Sequence, residues 1–154
     1  MALSLPRPIR WALIVFVVVF AGMQVVQPDR TNPPVNPAHS LLSKATPEVR
    51  AILSRSCRDC HTNETQWPLY SYVAPMSWIM AGHVHDGRER LNLSEWTSYD
   101  EDEQDKFLGG LCSQPKRGRM PLPSYLIIHR AATLAPSDVT TLCAWSEKMR
   151  DTLQ

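Results

Sequence analysis

Residues 52–68 read ILSRSCRDCHTNETQWP. Cys57 and Cys60 stand two residues apart, and His61 follows at once. Four readings compete for such a pattern: a covalent porphyrin site, a redox dithiol, half of a zinc site, or chance. Each demands different surroundings, so the rest of the chain decides among them.

The residues just upstream predict a helix that delivers the cysteines. Thr46 suits an N-cap, Pro47 the first helical position, and Glu48 the positive end of the helix dipole. Val49, Ile52 and Leu53 make one apolar side, and Cys57 falls four residues after Leu53, close to the same face. A thioredoxin-like dithiol needs a strand before it in a βαβ setting, and neither is visible. A zinc site needs a second ligand pair, whereas Cys112 and Cys143 are 31 residues apart. A c-type haem needs two thiols that reach two vinyl groups on one porphyrin edge, then an imidazole that swings beneath the iron. C-x-x-C-H supplies these in order. The expectation is one covalent haem c on Cys57 and Cys60, with His61 as proximal ligand.

Upstream, Arg7 and Arg10 precede an apolar run from Trp11 to Val26. A cleaved signal peptide and an uncleaved single-span anchor both fit, and the weak Val19-Phe20-Ala21 cleavage site favours the anchor. The positive-inside rule then puts the N-terminus in the cytoplasm and the C-terminal part on the outer side of the membrane. Pro28, Pro33, Pro34 and Pro37 make the next stretch an extended tether. The expected organisation is an anchor over 1–27, a Pro-rich tether over 28–39 and a haem domain over 40–154. With 16 Lys+Arg against 15 Asp+Glu the net charge is +1, which gives no nucleic-acid signature. If a haem takes Cys57 and Cys60, an exported domain has Cys112 and Cys143 left for a disulfide; two unrelated buried thiols are the plain alternative.

A six-coordinate iron needs a second axial ligand. In SQPKRGRMPLPSY (113–125), Met120 is followed by Pro121 and Pro123, so a stiff loop is expected to present its thioether. His83 is the rival, on a helical stripe with Met76, Ile79 and Met80 that is equally read as core. Trp67, Tyr70, Tyr72 and Trp78 are expected to wall off a porphyrin or bond its propionates. Arg88 fits a propionate or plain solvent. Lys116, Arg117 and Arg119 fit steering of an acidic redox partner, or simple solvation. Ser98 and Glu101 fit a capping box for a further helix. A last helix is expected near APSDVTTLCAWSEKM (135–149).

Taken together, the chain resembles the bacterial membrane-anchored haem-binding domain family, distant relatives of small cytochromes c. The resemblance covers about residues 40–150. It is carried by CRDCHTNETQWPLYSYVAPMSW, HVHDGRERLNLSEW, GRMPLPSYLIIHRAATL and LCAWSEKM. It implies haem on Cys57 and Cys60, His61 as proximal ligand and Met120-Pro121 in the distal loop. Leu69 stands where the family often has tryptophan, and Leu122 where it often has proline. The expected fold is all-α and cytochrome c-like, with three to five short helices around one haem behind one transmembrane helix. The expected role is one-electron transfer to redox partners not named by the sequence, rather than catalysis. A haem-based sensor with a displaceable distal ligand is the alternative, and a peroxidase-like enzyme the remotest. A domain of about 115 residues has only a modest core of its own. Haem-free protein is therefore expected to be partly unfolded; a well-dispersed native NMR spectrum without haem would contradict this.

Overall fold

The computed structural model describes residues 6–153. The first five residues of the expected anchor, and Gln154 at the end of the expected haem domain, lie outside the described residues. The described part is helical, without strands: α1 (Arg7–Met23), α2 (Leu41–Lys44), α3 (Pro47–Ser56), α4 (Arg58–His61), α5 (Met76–Arg90), α6 (Glu101–Lys116), α7 (Pro123–Leu126) and α8 (Pro136–Asp151). Short 3₁₀ turns join several of them. The elements are more numerous than the three to five expected. The extra ones are single turns, α2, α4 and α7, at four residues each.

Contacts divide the chain into two units. One holds the residues up to Thr31 together with Trp67–His83; the other holds Asn32–Gln66 together with the chain from Val84 onward.

In the first unit, α1 is apolar and none of its residues is buried. No helix among the described residues is long and apolar enough to cross a membrane. This corrects the expected transmembrane helix. α1 has 17 residues, including Arg7 and Arg10. At 1.5 Å per residue it reaches about 26 Å, short of a hydrocarbon core about 30 Å thick. The chain after α1 folds back on residues 71–78 of the same unit. The Gln24 side chain donates to the Ala74 carbonyl (3.3 Å) and accepts from the Ala74 N–H (2.9 Å). Trp78 Nε1 donates to the Val26 carbonyl at 2.7 Å. Arg30 donates to the Ser71 carbonyl and lies 4.5 Å over the Tyr72 ring. Part of the expected tether is thus held against neighbouring chain.

The second unit has its own core: Leu41, Ala45, Val49, Ile52, Leu53, Leu93, Trp96, Leu108, Leu111, Leu142 and Trp145 are all buried. α3 starts where its sequence says. The Thr46 hydroxyl accepts from the Val49 N–H, and Pro47 is the first helical residue. α6 is capped two residues later than expected. Asp100 accepts from the Glu103 N–H (2.8 Å), and the Glu103 carboxylate accepts from the Asp100 N–H (3.2 Å). Ser98 is already committed, its hydroxyl donating to the Glu95 carbonyl at the end of the 3₁₀ turn Leu93–Ser98. The pattern S-x-x-E therefore loses to D-x-x-E.

α6 and α8 are fastened twice. Cys112 and Cys143 form a disulfide. Arg150 Nε and one terminal nitrogen donate to the two oxygens of Asp105 at 2.7 and 3.0 Å. The two links lie seven residues apart on each helix, in opposite order, so the helices run antiparallel. The Arg150 guanidinium holds the Asp105 carboxyl below its ordinary range. α3 joins this pair through Arg55, which donates to Asp138 at 2.7 Å.

The disulfide constrains a long loop in the unfolded chain. The double variant Cys112→Ala/Cys143→Ala is expected to lose about 3 kcal/mol in denaturant unfolding, with helix content retained. An unchanged midpoint would contradict this.

Candidate functional site

Cys57 ends α3 and opens α4. The single turn of α4 does the placing. The N–H groups of Cys60 and His61 both donate to the Cys57 carbonyl, at 3.3 and 3.0 Å. Residues three and four apart on a helical turn share a face, so both sulfurs and the imidazole are presented together. Cys57 also packs on the buried core, which ties the turn to the body of the second unit.

Both thiols are unpaired and half-buried. Burial pushes Cys57 up to about 12 and Cys60 up to about 11; Asp59 raises Cys60 further, and the Arg55 and Arg88 guanidiniums pull Cys57 and Cys60 the other way without offsetting burial. The folded pair is therefore held as neutral thiols at physiological pH. A redox dithiol needs the reverse, a thiolate stabilised by its surroundings.

The His61 ring is oriented by the backbone. Nδ1 lies 2.9 Å from the Leu91 carbonyl oxygen. A carbonyl only accepts, so Nδ1 carries the proton, and Nε2 of the neutral ring keeps its lone pair. Burial lowers the ring's affinity for a second proton, with the carbonyls of Leu91 and Gly87 acting the other way. The neutral form, which is the one that binds a metal, is favoured.

α5 reaches this turn because Gly87 has no side chain. A Cβ built there would collide with the Cys60 carbonyl oxygen and lie 3.0 Å from the Cys60 carbonyl carbon. The adjacent Arg88 fixes the loop after His61. Its guanidinium donates to the Thr62 carbonyl (2.8 Å), the Thr65 hydroxyl (2.9 Å) and the Asn32 side chain (2.7 Å). Asn63, inside that loop, takes a hydrogen bond from the Asn92 side chain and donates to Glu95.

Asp59, between the two cysteines, is a second hub. Its backbone carbonyl accepts from the Thr65 hydroxyl at 2.6 Å and its Oδ1 accepts from the Gln66 N–H at 3.1 Å. Its Oδ2 accepts from the Tyr125 hydroxyl at 3.1 Å. Tyr125 sits on α7 and stacks on His129 with ring centres 4.1 Å apart. Met120 is half-buried in the turn between α6 and α7, five residues before Tyr125. The Tyr125–Asp59 bond thus anchors the methionine's segment to the cysteine turn, within about 17 Å of chain reach. Lys116, Arg117 and Arg119, just ahead of Met120, are exposed.

Trp67, Tyr70, Trp78 and His83 all fall in the first unit. There the Trp67 indole nitrogen is buried without a hydrogen-bond partner, and the Tyr70 hydroxyl lies 3.9 Å from the Met80 sulfur. Sequence reasoning missed Gly87, the Leu91 carbonyl, Asp59 and Tyr125. Gly87 left a signal, a glycine in the middle of a helical stretch. A backbone carbonyl leaves none.

The residues fit a covalently held haem: two uncommitted thiols and an imidazole of defined tautomer share one turn. Gly87→Ala is expected to cost roughly 1–3 kcal/mol by forcing α5 off the turn. Gly82→Ala, with nothing within 4 Å of the new methyl, is expected to be neutral or slightly stabilising. Thermal unfolding of both variants checks this; equal effects would contradict it.

No curated protein and no solved structure matches the chain. A family model, described as Haem-binding domain, matches residues 18–148, most of the 154-residue chain, and the protein belongs to that family.

Proposed function

We propose that the protein is a monohaem c-type electron carrier. Cys57 and Cys60 would hold the haem through thioethers, and His61 and Met120 would ligate its iron. The observation that carries this reading is the His61–Leu91 hydrogen bond, which aims an unprotonated Nε2 from the same turn as two free thiols. Bound iron supplies the one-electron chemistry. The chain's part is to hold its ligands still while an electron enters and leaves. The Leu91 carbonyl holds the ring, and the Tyr125–Asp59 bond holds the segment that carries Met120. An enzyme or a gas sensor requires a coordination position that opens, which ligation by Met120 would oppose. His83 is the rival distal ligand.

The Cys112–Cys143 disulfide supports a location outside the cytoplasm, on the periplasmic side of the bacterial inner membrane. The exposed apolar side chains of α1, Trp11 through Phe20, support attachment to that membrane. Exposed Lys116, Arg117 and Arg119 beside the methionine turn suit an acidic redox partner, whose approach they accelerate at low salt.

Spectroscopy of holoprotein tests the ligand assignment. The ferric protein is expected to show the weak red charge-transfer band of thioether-ligated haem. Met120→Ala is expected to abolish it and His83→Ala to leave it intact. A wild type without the band, or a band that persists in Met120→Ala, would overturn the Met120 assignment, and rapid carbon monoxide binding by the reduced wild type would overturn the carrier reading in favour of the sensor.

A further inference from the structure

The peptide unit joining Leu91 to Asn92 is gripped at both ends. Its oxygen accepts the His61 Nδ1 proton at 2.9 Å, and its N–H donates to the Tyr99 hydroxyl at 2.8 Å. We infer that Tyr99, acting through this single peptide, sets the electron-donating strength of the His61 imidazole and thereby part of the reduction potential of the iron. This rests on the reading of His61 as an axial ligand.

The physical link is polarisation along a chain of hydrogen bonds. An acceptor on a peptide N–H draws that proton away and leaves the carbonyl oxygen more negative. A more negative oxygen pulls harder on the Nδ1 proton of His61. The ring becomes a stronger base at Nε2, as a hydrogen-bonded imidazole ligand does generally. A stronger base favours the ferric over the ferrous state, so the Tyr99 hydroxyl holds the potential down.

The surroundings make this a defined relay. The Tyr99 ring packs edge-on against Phe107, with ring centres 4.8 Å apart, and against Trp96 at 6.1 Å. Trp96 is fully buried and Phe107 packs on the core, so the hydroxyl is presented by a ring with little freedom. The Asn92 side chain fixes the peptide from the other direction. Its oxygen accepts from the Ser94 N–H (3.0 Å), and its nitrogen donates to Asn63, two residues after His61 (2.8 Å). Ser94 returns to the same loop by accepting from the Asn63 N–H at 3.0 Å. Ligand ring, peptide and tyrosine therefore belong to one connected network. Tyr99 touches no reacting atom and is a positioning residue.

The test is redox titration of full-length holoprotein together with the NMR shift of the His61 Nδ1 proton in the ferric state. Tyr99→Phe keeps the ring and removes the hydroxyl. It is expected to retain covalent haem and the thioether band, raise the potential and move the Nδ1 proton shift. Phe107→Leu loosens the same packing but keeps the hydroxyl; it is expected to lower stability and leave the potential where it was. An unmoved potential in Tyr99→Phe, or an equal rise in Phe107→Leu, would overturn the inference. Should Tyr99→Phe fail to fold, 3-fluorotyrosine placed at position 99, below the pH at which it ionises, weakens the acceptor and must shift the potential the same way; no shift overturns the proposal. Failure of the underlying reading is separate: wild-type protein without haem on His61 overturns both, whereas normal haem with an unmoved potential overturns only the role of Tyr99.

Discussion

The hydrogen bond between the His61 ring and the Leu91 carbonyl is the constraint on which the rest of the site depends. It fixes which nitrogen carries the proton and where the other one points. The end of α5 and the core of the second unit put that carbonyl in place. Leu91 packs against the core, and its N–H donates to the Gly87 carbonyl at the end of α5. α5 comes close enough only because residue 87 is glycine. Arg88, one residue on, clamps the loop that leaves His61. One helical end thus orients the imidazole, admits the cysteine turn and pins the following loop.

The same turn explains why the two thiols are chemically quiet. Their burial favours the neutral form and outweighs the nearby Arg55 and Arg88 guanidiniums. Such thiols do not suit repeated disulfide exchange, which needs a stabilised thiolate. The disulfide of the molecule lies elsewhere, between α6 and α8, where it reinforces an antiparallel pair already joined by Asp105 and Arg150. One cysteine pair of this unit is thus a disulfide and the other a pair of free thiols.

The fold class was legible wherever a local signal decides the outcome. Thr46-Pro47 opens α3 by capping chemistry that any neighbourhood tolerates, and the last helix, α8, falls where APSDVTTLCAWSEKM placed it, with Pro136 as its first residue. The C-x-x-C-H spacing carries its own geometry. What could not be read depends on partners distant in the chain. The choice between Ser98 and Asp100 as the α6 cap turned on the Glu95 carbonyl, which claims the serine. Arg88 offered a fork without saying whose oxygens it meets, and they are those of Thr62, Thr65 and Asn32. The apolar run at the start was legible as a helix. Its reach was not, because the helix stops at Met23, where Gln24 turns to bond the Ala74 backbone.

The proposed electron carrier requires a porphyrin joined to the polypeptide by two carbon–sulfur bonds. The most direct measurement is the intact mass and visible spectrum of protein matured in a host competent for cytochrome c assembly, then denatured and extracted with acidified organic solvent. The pigment is expected to stay with the chain, and the mass to rise by one haem. Pigment that partitions into the solvent, leaving the mass of the bare polypeptide, would contradict the central claim.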